Sequence, residues 1–364
     1  MKIAIVGAGI VGSTAAYYLS KEKDVEVTVF DHGLGQATKA AAGIISPWFS
    51  KRRNKAWYRM ARLGADFYQE LTSNLENDGY DTSFYDQSGV ALLKKDDSKL
   101  DGLYQHAETR LEESPIIGEL SIKDASDLPE FTGFDRYLYA SGGARVEGAE
   151  LTATLINASG FEKVEGPVTL SSLDNGSYEI NGQTFDKVIL ACGAWLGQTL
   201  EPLGFEVDVR PQKGQLRDYF FEGMDTGKLP VLMPEGELDV IPFAGGKISV
   251  GASHENDKGF DLTVDEAILE GLEEEAKTYF PDLSTAKSIS ERVGTRAYTS
   301  DFSPFFGQVP SLSGVYAASG LGSSGLTTGP IIGYHLAQLI QDKELTLDPL
   351  NYPIENYVKR VKSK

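Results

Sequence analysis

The sequence predicts an α/β protein in which a parallel sheet is interrupted by an inserted antiparallel sheet. Three observations predict it. The chain opens as a strand, a glycine-rich turn, a helix and a second strand, over 2–6, 7–12, 13–20 and 25–30. Two later apolar runs, 188–195 and 315–320, end at or near glycines, as strands buried on both faces do. Between them, residues 205–253 alternate polar and apolar side chains in short stretches, the habit of an antiparallel sheet.

The opening carries the first functional signal. Gly7-x-Gly9-x-x-Gly12 follows a strand and starts a helix, and the second strand ends at Asp31. Gly7 permits the tight turn, Gly9 lets the backbone approach a pyrophosphate, and Gly12 lets the helix pack closely on the sheet. The helix N-terminus presents N–H groups and positive potential to phosphates. A carboxylate at Asp31 accepts ribose hydroxyls. Strand, helix, strand and terminal acid in this order predict a dinucleotide site in a Rossmann-type domain.

The remaining elements follow in chain order. Residues 13–20 continue the helix with small residues toward the sheet, and a loop leads through 38–47. Residues 54–77 place Trp57, Met60, Ala61, Leu63, Phe67, Leu71 and Leu75 at helical spacing, which predicts an amphipathic helix. Strands are expected at 90–93 and 137–140, with a polar, solvated helix over 98–113 between them, and a helix from near Ala149. Asn181-Gly182 between 178–180 and 183–185 predicts a hairpin. Cys192, inside the apolar run, reads as a small buried hydrophobe. Strands over 216–219, 239–242 and 247–251 form the second sheet. Thr263 with Glu266 predicts a capping box for an acidic helix running to Tyr279-Phe280. Residues 322–328 read as a glycine- and hydroxyl-rich turn, and 331–340 as the closing helix. The nucleotide domain is therefore expected in three pieces, 1–78, 142–214 and 290–364, and the substrate domain in two, 79–141 and 215–289.

Composition narrows the partners. With 34 basic and 53 acidic residues, the chain carries a net charge of −19, which argues against nucleic acid and an anionic membrane surface. A single cysteine excludes an intrachain disulfide and suits a reducing compartment. No apolar run approaches the length of a transmembrane helix, and the first strand begins at the second residue, so the cytoplasm is the expected location. A homo-oligomer is left open.

Taken together, the motifs resemble the FAD-dependent amino acid oxidase family of glycine oxidase, sarcosine oxidase and D-amino acid dehydrogenases. The resemblance runs nearly the whole chain. Its anchors are Gly7/Gly9/Gly12 with Asp31, the stretch Thr38–Ile45, Pro167-Val168, the strand to Gly193-Ala194-Trp195, and Gln212-Lys213-Gly214. Two more are Gly294-x-Arg296-x-x-Thr299-x-Asp301-x-x-Pro304-x-x-Gly307 and Ala318-x-Gly320-x-Gly322-Ser323-Ser324-Gly325-Leu326. Ala40-Ala41-Ala42-Gly43 is most similar to the glycine oxidase branch.

The resemblance implies FAD held without a covalent bond. It implies Ile10 and Val11 at the pyrophosphate, Asp31 and His32 at the ribose and adenine end, and Val168 on the adenine. Ala37, Thr38, Ala42, Gly43 and Ile44 would run along the pyrophosphate and flavin, with Gly193 in the same set. Leu321, Gly322, Ser323, Ser324, Gly325, Leu326 and Thr327 would wrap the pyrimidine side of the flavin ring, where N–H groups meet the charge that appears on reduction. Arg296 would fix the substrate carboxylate with a bidentate fork. Arg145, Arg210, Arg217 and Arg292 have no such motif support and read as solvated or structural.

Several positions depart from the family. Asp239 replaces a tyrosine that contacts substrate in glycine oxidases, and Ser323 replaces a second arginine of that branch. Asp239 is expected either to recognise a cationic amine or to point away. Ser249 stands where sarcosine oxidases place a lysine for oxygen activation, which puts efficient use of O2 in doubt. Arg296 stands where that branch has its covalent-flavin cysteine, and Ala297 replaces a proline.

The implied chemistry is oxidation of the C–N bond of a small amino or imino acid. A flavin accepts a hydride equivalent at N5, and no side-chain base is needed if the amine arrives unprotonated. Among His32, His106, His254 and His335 none is expected as a base, and His254 falls nearest the substrate sheet. The substrate's identity and chirality stay open. The alternatives are a D-amino acid or N-methyl amino acid dehydrogenase with an acceptor other than O2, and a non-catalytic flavin-binding protein. A flavoprotein acting on a nucleic-acid base is disfavoured by the charge, and an NAD-only dehydrogenase leaves the loop at 321–327 without a purpose.

Overall fold

The computed structural model describes residues 1–96 and 98–361. A six-stranded sheet runs in the order Phe305–Gln308, Val315–Ser319, Lys187–Leu190, Lys2–Val6, Glu26–Asp31, Glu162–Glu165. All neighbours are parallel except Phe305–Gln308, which is antiparallel to Val315–Ser319. Alternate residues of each central strand face opposite sides, and both sides are buried. Ile3, Ile5, Val29 and Ile189 enter one core, while Ala4, Val6, Phe30 and Leu190 enter another. That two-sided burial is why these strands read as unbroken apolar runs.

The helices Ile10–Leu19 and Gly325–Leu339 cover one face of this sheet. Gly7 adopts φ +100°, and a Cβ there would lie 2.3 Å from the Ala191 carbonyl oxygen. At Gly12 a Cβ would lie 1.8 Å from the Gly7 oxygen. The turn and the helix thus close on each other only because both residues lack side chains.

The second sheet has eight strands in the order Ser288–Tyr298, Arg210–Phe220, Lys247–Gly251, Asp239–Phe243, Val231–Met233, Val90–Leu92, Arg136–Ala140, Leu120–Asp124. It is antiparallel except where Val231–Met233 meets Val90–Leu92 in parallel, the seam between its two chain segments. The expected boundaries at 214 and 290 fall inside Arg210–Phe220 and Ser288–Tyr298. These strands pair without a break from Arg210–Tyr298 to Phe220–Ser288, so the boundary positions cut a continuous ribbon.

Other expectations are corrected locally. The acidic helix is Glu266–Lys277, and its cap is Asp265, whose carboxylate accepts the Ile268 N–H at 3.4 Å. Thr263 is occupied elsewhere, its carbonyl accepting the Lys213 ammonium and its N–H donating to Asp261. The helix expected over 98–113 spans Ser98–Glu108, and the apolar run from Val188 is strand only to Leu190. The closing helix starts six residues before expectation, at Gly325, and continues through Pro330. Pro330 has no N–H to give the Leu326 carbonyl. The Tyr68 hydroxyl, from the helix Lys55–Asn77, donates to that oxygen at 2.7 Å instead. Among the described residues no helix is long and apolar enough to cross a membrane, and no cluster is placed to hold a metal.

Candidate functional site

Two adjoining cavities lie where the sheets meet. The first, of about 430 Å³, is walled by the glycine turn (Gly7, Gly9, Ile10, Val11), by Asp31, His32, Ala37 and Thr38, and by Val168 and Gly193. Leu321, Gly322 and Gly325 close it. The second, of about 550 Å³, is walled by Ala42, Gly43, Ile44, Asp239, Arg296 and Ser323–Thr327. Ala37, Thr38, Gly322 and Gly325 line both and form the junction. Every residue expected to touch cofactor or substrate lines one cavity or the other except Gly12, which sits beneath Gly7.

Hydrogen bonds hold the first cavity open. The Asp31 carboxylate accepts the Ala8 N–H at 3.3 Å and the Gln36 side-chain amide at 2.5 Å. The Ile10 N–H, expected to face a pyrophosphate, instead donates to Thr38 Oγ1 at 3.1 Å. Thr38 thereby ties the helix start to the junction. Cys192 is not enclosed in the core; it lines the cavity, its thiol near the Val6 carbonyl at 3.5 Å, and burial pushes it up to about 12.

The junction turn Gly322–Ser324 is fixed from two sides. The Tyr298 hydroxyl accepts the Ser323 N–H at 3.0 Å, and the Trp57 indole donates to Ser324 Oγ at 3.4 Å. Trp57 read as core from its helical spacing. Its cavity position comes from a contact 267 residues away, which no local pattern shows.

Arg296 is held through one nitrogen. Nη1 donates to Gln212 Oε1 at 3.0 Å and to the Ser253 carbonyl at 2.8 Å. Gln212 is oriented in turn by Asn256 Oδ1 at 2.8 Å. Nη2 has no hydrogen-bond partner among the described residues, and the side chain lines the second cavity. Burial lowers its guanidinium from the ordinary value, opposed by Tyr298, Glu237 and Glu255, and arginine stays charged. Gly214 of the facing strand provides the floor beneath it.

Strand geometry sorts the two cavities. Gly294 and Arg296 line the second, while Thr295 and Ala297, the alternate residues of the same strand, line the first. A two-residue repeat places each set on its own face.

The Asp239 carboxylate makes no hydrogen bond or ion pair with any described residue, and desolvation raises it to about 8. His254 lies in the same cavity, Nδ1 3.6 Å from Glu237 Oε1. Burial first, then the Arg296 charge, lower its imidazole from the usual range. Glu237 and the cavity role of Lys94 were not legible, because neither stands in a motif. The other arginines are structural. Arg145 is buried and bonds Asp86 and three backbone carbonyls. Arg217 meets Glu266, Glu273 and Glu291. Arg292 bonds Asp218, Ser249 and the Ala41 carbonyl, and Arg210 bonds Asn256.

The comparisons agree with this geometry. A family model for FAD-dependent oxidoreductases (DAO) matches residues 2–339. The chain is 39% identical to an uncharacterized oxidoreductase, YurR, of Bacillus subtilis over 94% of this chain and 96% of that protein. It is 30% identical to a glycine oxidase of Pseudomonas aeruginosa, covering 96% and 98% of the two chains. The crystal structure of iminodiacetate oxidase from Chelativorans sp. BNC1 superposes with a TM-score of 0.91 at 30% identity, over 96% of this chain and 98% of that one.

Proposed function

This chain belongs to the DAO family of FAD-dependent oxidoreductases, and we propose that within it the protein oxidises the C–N bond of a small amino or imino acid, with hydride passing to flavin N5. FAD is its cofactor. The first cavity suits the dinucleotide in chemistry, with a helix N-terminus, a carboxylate at Asp31 and a glycine turn that side chains would fill. Gly7, Gly9, Val11, Asp31, Thr38 and Val168 would hold its nucleotide portion, and Ala42–Ile44 with Leu321–Thr327 its ring. When bound, the flavin supplies the hydride acceptor.

The observation that carries the reading is Arg296. Its Nη1 is committed to Gln212 and Ser253, and the rest of its fork lines a cavity that meets the dinucleotide cavity at Gly322. Such a fork orients a carboxylate plane. His254 is held below its usual range, and Arg296 and Lys94 are the arginine and lysine that line the second cavity. Asp239, protonated below about 8, offers an O–H to an anion rather than repelling it. Relatives named glycine oxidase and iminodiacetate oxidase support an amine-bearing acid as substrate.

Anaerobic mixing of the yellow protein with glycine, sarcosine, proline and D- and L-amino acids tests the proposal. Bleaching of the flavin by one class supports it; a flavin bleached by none favours a binding role. A second reading, electron delivery to an acceptor other than O2, is supported by Ser249. Its hydroxyl is buried and engaged with Asp218 at 2.5 Å and Arg292 at 2.9 Å. Slow recovery of the bleached flavin in air, with fast dye reduction, supports that reading.

A further inference from the structure

A third cavity, of about 420 Å³, opens beside the second and shares Phe49, Leu92, Lys94 and Glu235 with it. Lys51, Lys94 and Lys99 all line it, against one carboxylate, Glu235, among its lining residues. Glu235 is held in place by Lys94 at 3.6 Å and Lys99 at 3.7 Å, and its Oε2 accepts the Lys95 N–H at 3.3 Å. The cations continue along Lys51-Arg52-Arg53 and Lys55. This concentration stands out in a chain with a net charge of −19.

The loop that bears Lys51 is pinned to the same part of the fold as Lys99. His106 meets the Ser50 carbonyl at 3.0 Å, and Arg110 donates to the Trp48 carbonyl at 2.6 Å. The lysine-lined wall is therefore a built feature of the cavity mouth. A concave site lined by three cations against one anion presents a net positive potential to an incoming anion.

We propose that this third cavity is a second-anion subsite, and that the substrate is an amino acid carrying a second carboxylate, one carboxylate meeting Arg296 and the other the lysines. The proposal rests on the amino-acid reading above and narrows it. Lys94, which lines both cavities, marks the path between the two ends. The second carboxylate is on either the nitrogen substituent or the side chain, and both present the same anion to Lys51, Lys94 and Lys99.

Matched pairs test it in the FAD-loaded protein: glycine against N-carboxymethylglycine, and alanine against aspartate and glutamate in both enantiomers. In at least one pair the diacid should reduce the flavin with about tenfold or greater advantage in rate over dissociation constant. Which pair does so locates the second carboxylate. Raising the ionic strength should erode that advantage. The double variant Lys51→Met, Lys99→Met should bring the ratio close to one. Glutarate and butyrate, which cannot be oxidised at a C–N bond, are then titrated by the change in flavin absorbance. Glutarate should bind at least about tenfold tighter, and the double variant should lose the difference. Diacids no better than monoacids in both assays would overturn the subsite. Tight, lysine-dependent glutarate binding with no amine reducing the flavin would uphold the subsite and sink the amine-oxidation reading.

Discussion

The guanidinium of Arg296 lies face-on over Gly214. A Cβ built at Gly214 would stand 2.6 Å from Nη1, 2.7 Å from Cζ and 2.8 Å from Nη2. The glycine is thus the space in which the fork sits. Gly214→Ala should displace the guanidinium while sparing the strand, since the clash is with the far end of a side chain. The expected outcome is a KM for a carboxylate substrate raised about tenfold, equivalent to ~1.4 kcal/mol, with flavin absorbance unchanged. An unaltered KM would detach Arg296 from the substrate.

Arg296→Ala should go further. Loss of a charge-assisted bond costs roughly 1.5–3 kcal/mol, or about 10- to 100-fold in substrate affinity. FAD content should stay normal, because the side chain does not line the first cavity, which would hold the nucleotide portion. Arg296→Lys should recover part of the loss only, since a point charge lacks the planar fork. Equal rescue by lysine would show that charge alone matters. Titration with a non-oxidisable carboxylate reads this without turnover.

Asp239 sets a pH dependence of stability. Its folded carboxyl is raised from 3.8 to about 8 by desolvation, so the folded state holds a proton that the unfolded state releases. Its contribution is fully present below about pH 4 and is lost as pH rises through about 8. Asp239→Asn has no ionisation to oppose folding. Thermal melts should therefore separate progressively above pH 4, with the variant higher by pH 9. Parallel curves across that range would show that Asp239 is solvated.

Gly9→Val should abolish FAD loading. Even a Cβ at Gly9 would stand 3.3 Å from Thr38 Oγ1, the acceptor of the Ile10 N–H, and a branched side chain would project into the first cavity. The purified variant should be folded by circular dichroism and colourless. A normally yellow variant would remove the dinucleotide from this turn.

Tyr68→Phe should destabilise the protein by about 1–3 kcal/mol, the cost of a buried acceptor left unpaired. Its hydroxyl is the donor to the Leu326 carbonyl that Pro330 leaves without one. Urea unfolding measures this. The double variant Tyr68→Phe, Pro330→Ala should recover stability, because alanine restores the helical N–H.

What was legible in the sequence had backbone causes. Gly7, Gly12 and Asp31 are required by a turn, a close approach and a strand end, so their spacing alone located the first cavity. Arg296 was legible through its ordered motif. The start of the closing helix was missed because glycines and hydroxyl residues are weak helix formers and Pro330 reads as a breaker. A tyrosine 258 residues away overrides both signals. The placement of Asp239, Glu237 and Lys94 was likewise out of reach, since it follows from which strands neighbour one another and not from local pattern.

The strand Ser288–Tyr298 gives cofactor and substrate a common gauge. Thr295 and Ala297 look one way, Gly294 and Arg296 the other. The offset between a carboxylate on Arg296 and the nucleotide portion of FAD in the next cavity would then be set by the thickness of one polypeptide backbone. It does not depend on two bodies swinging together, so alignment is inherited at folding and survives any looseness at the lysine-lined mouth. Inserting one residue near 295 would exchange the two faces, which makes this short stretch far less tolerant of length change than of side-chain change.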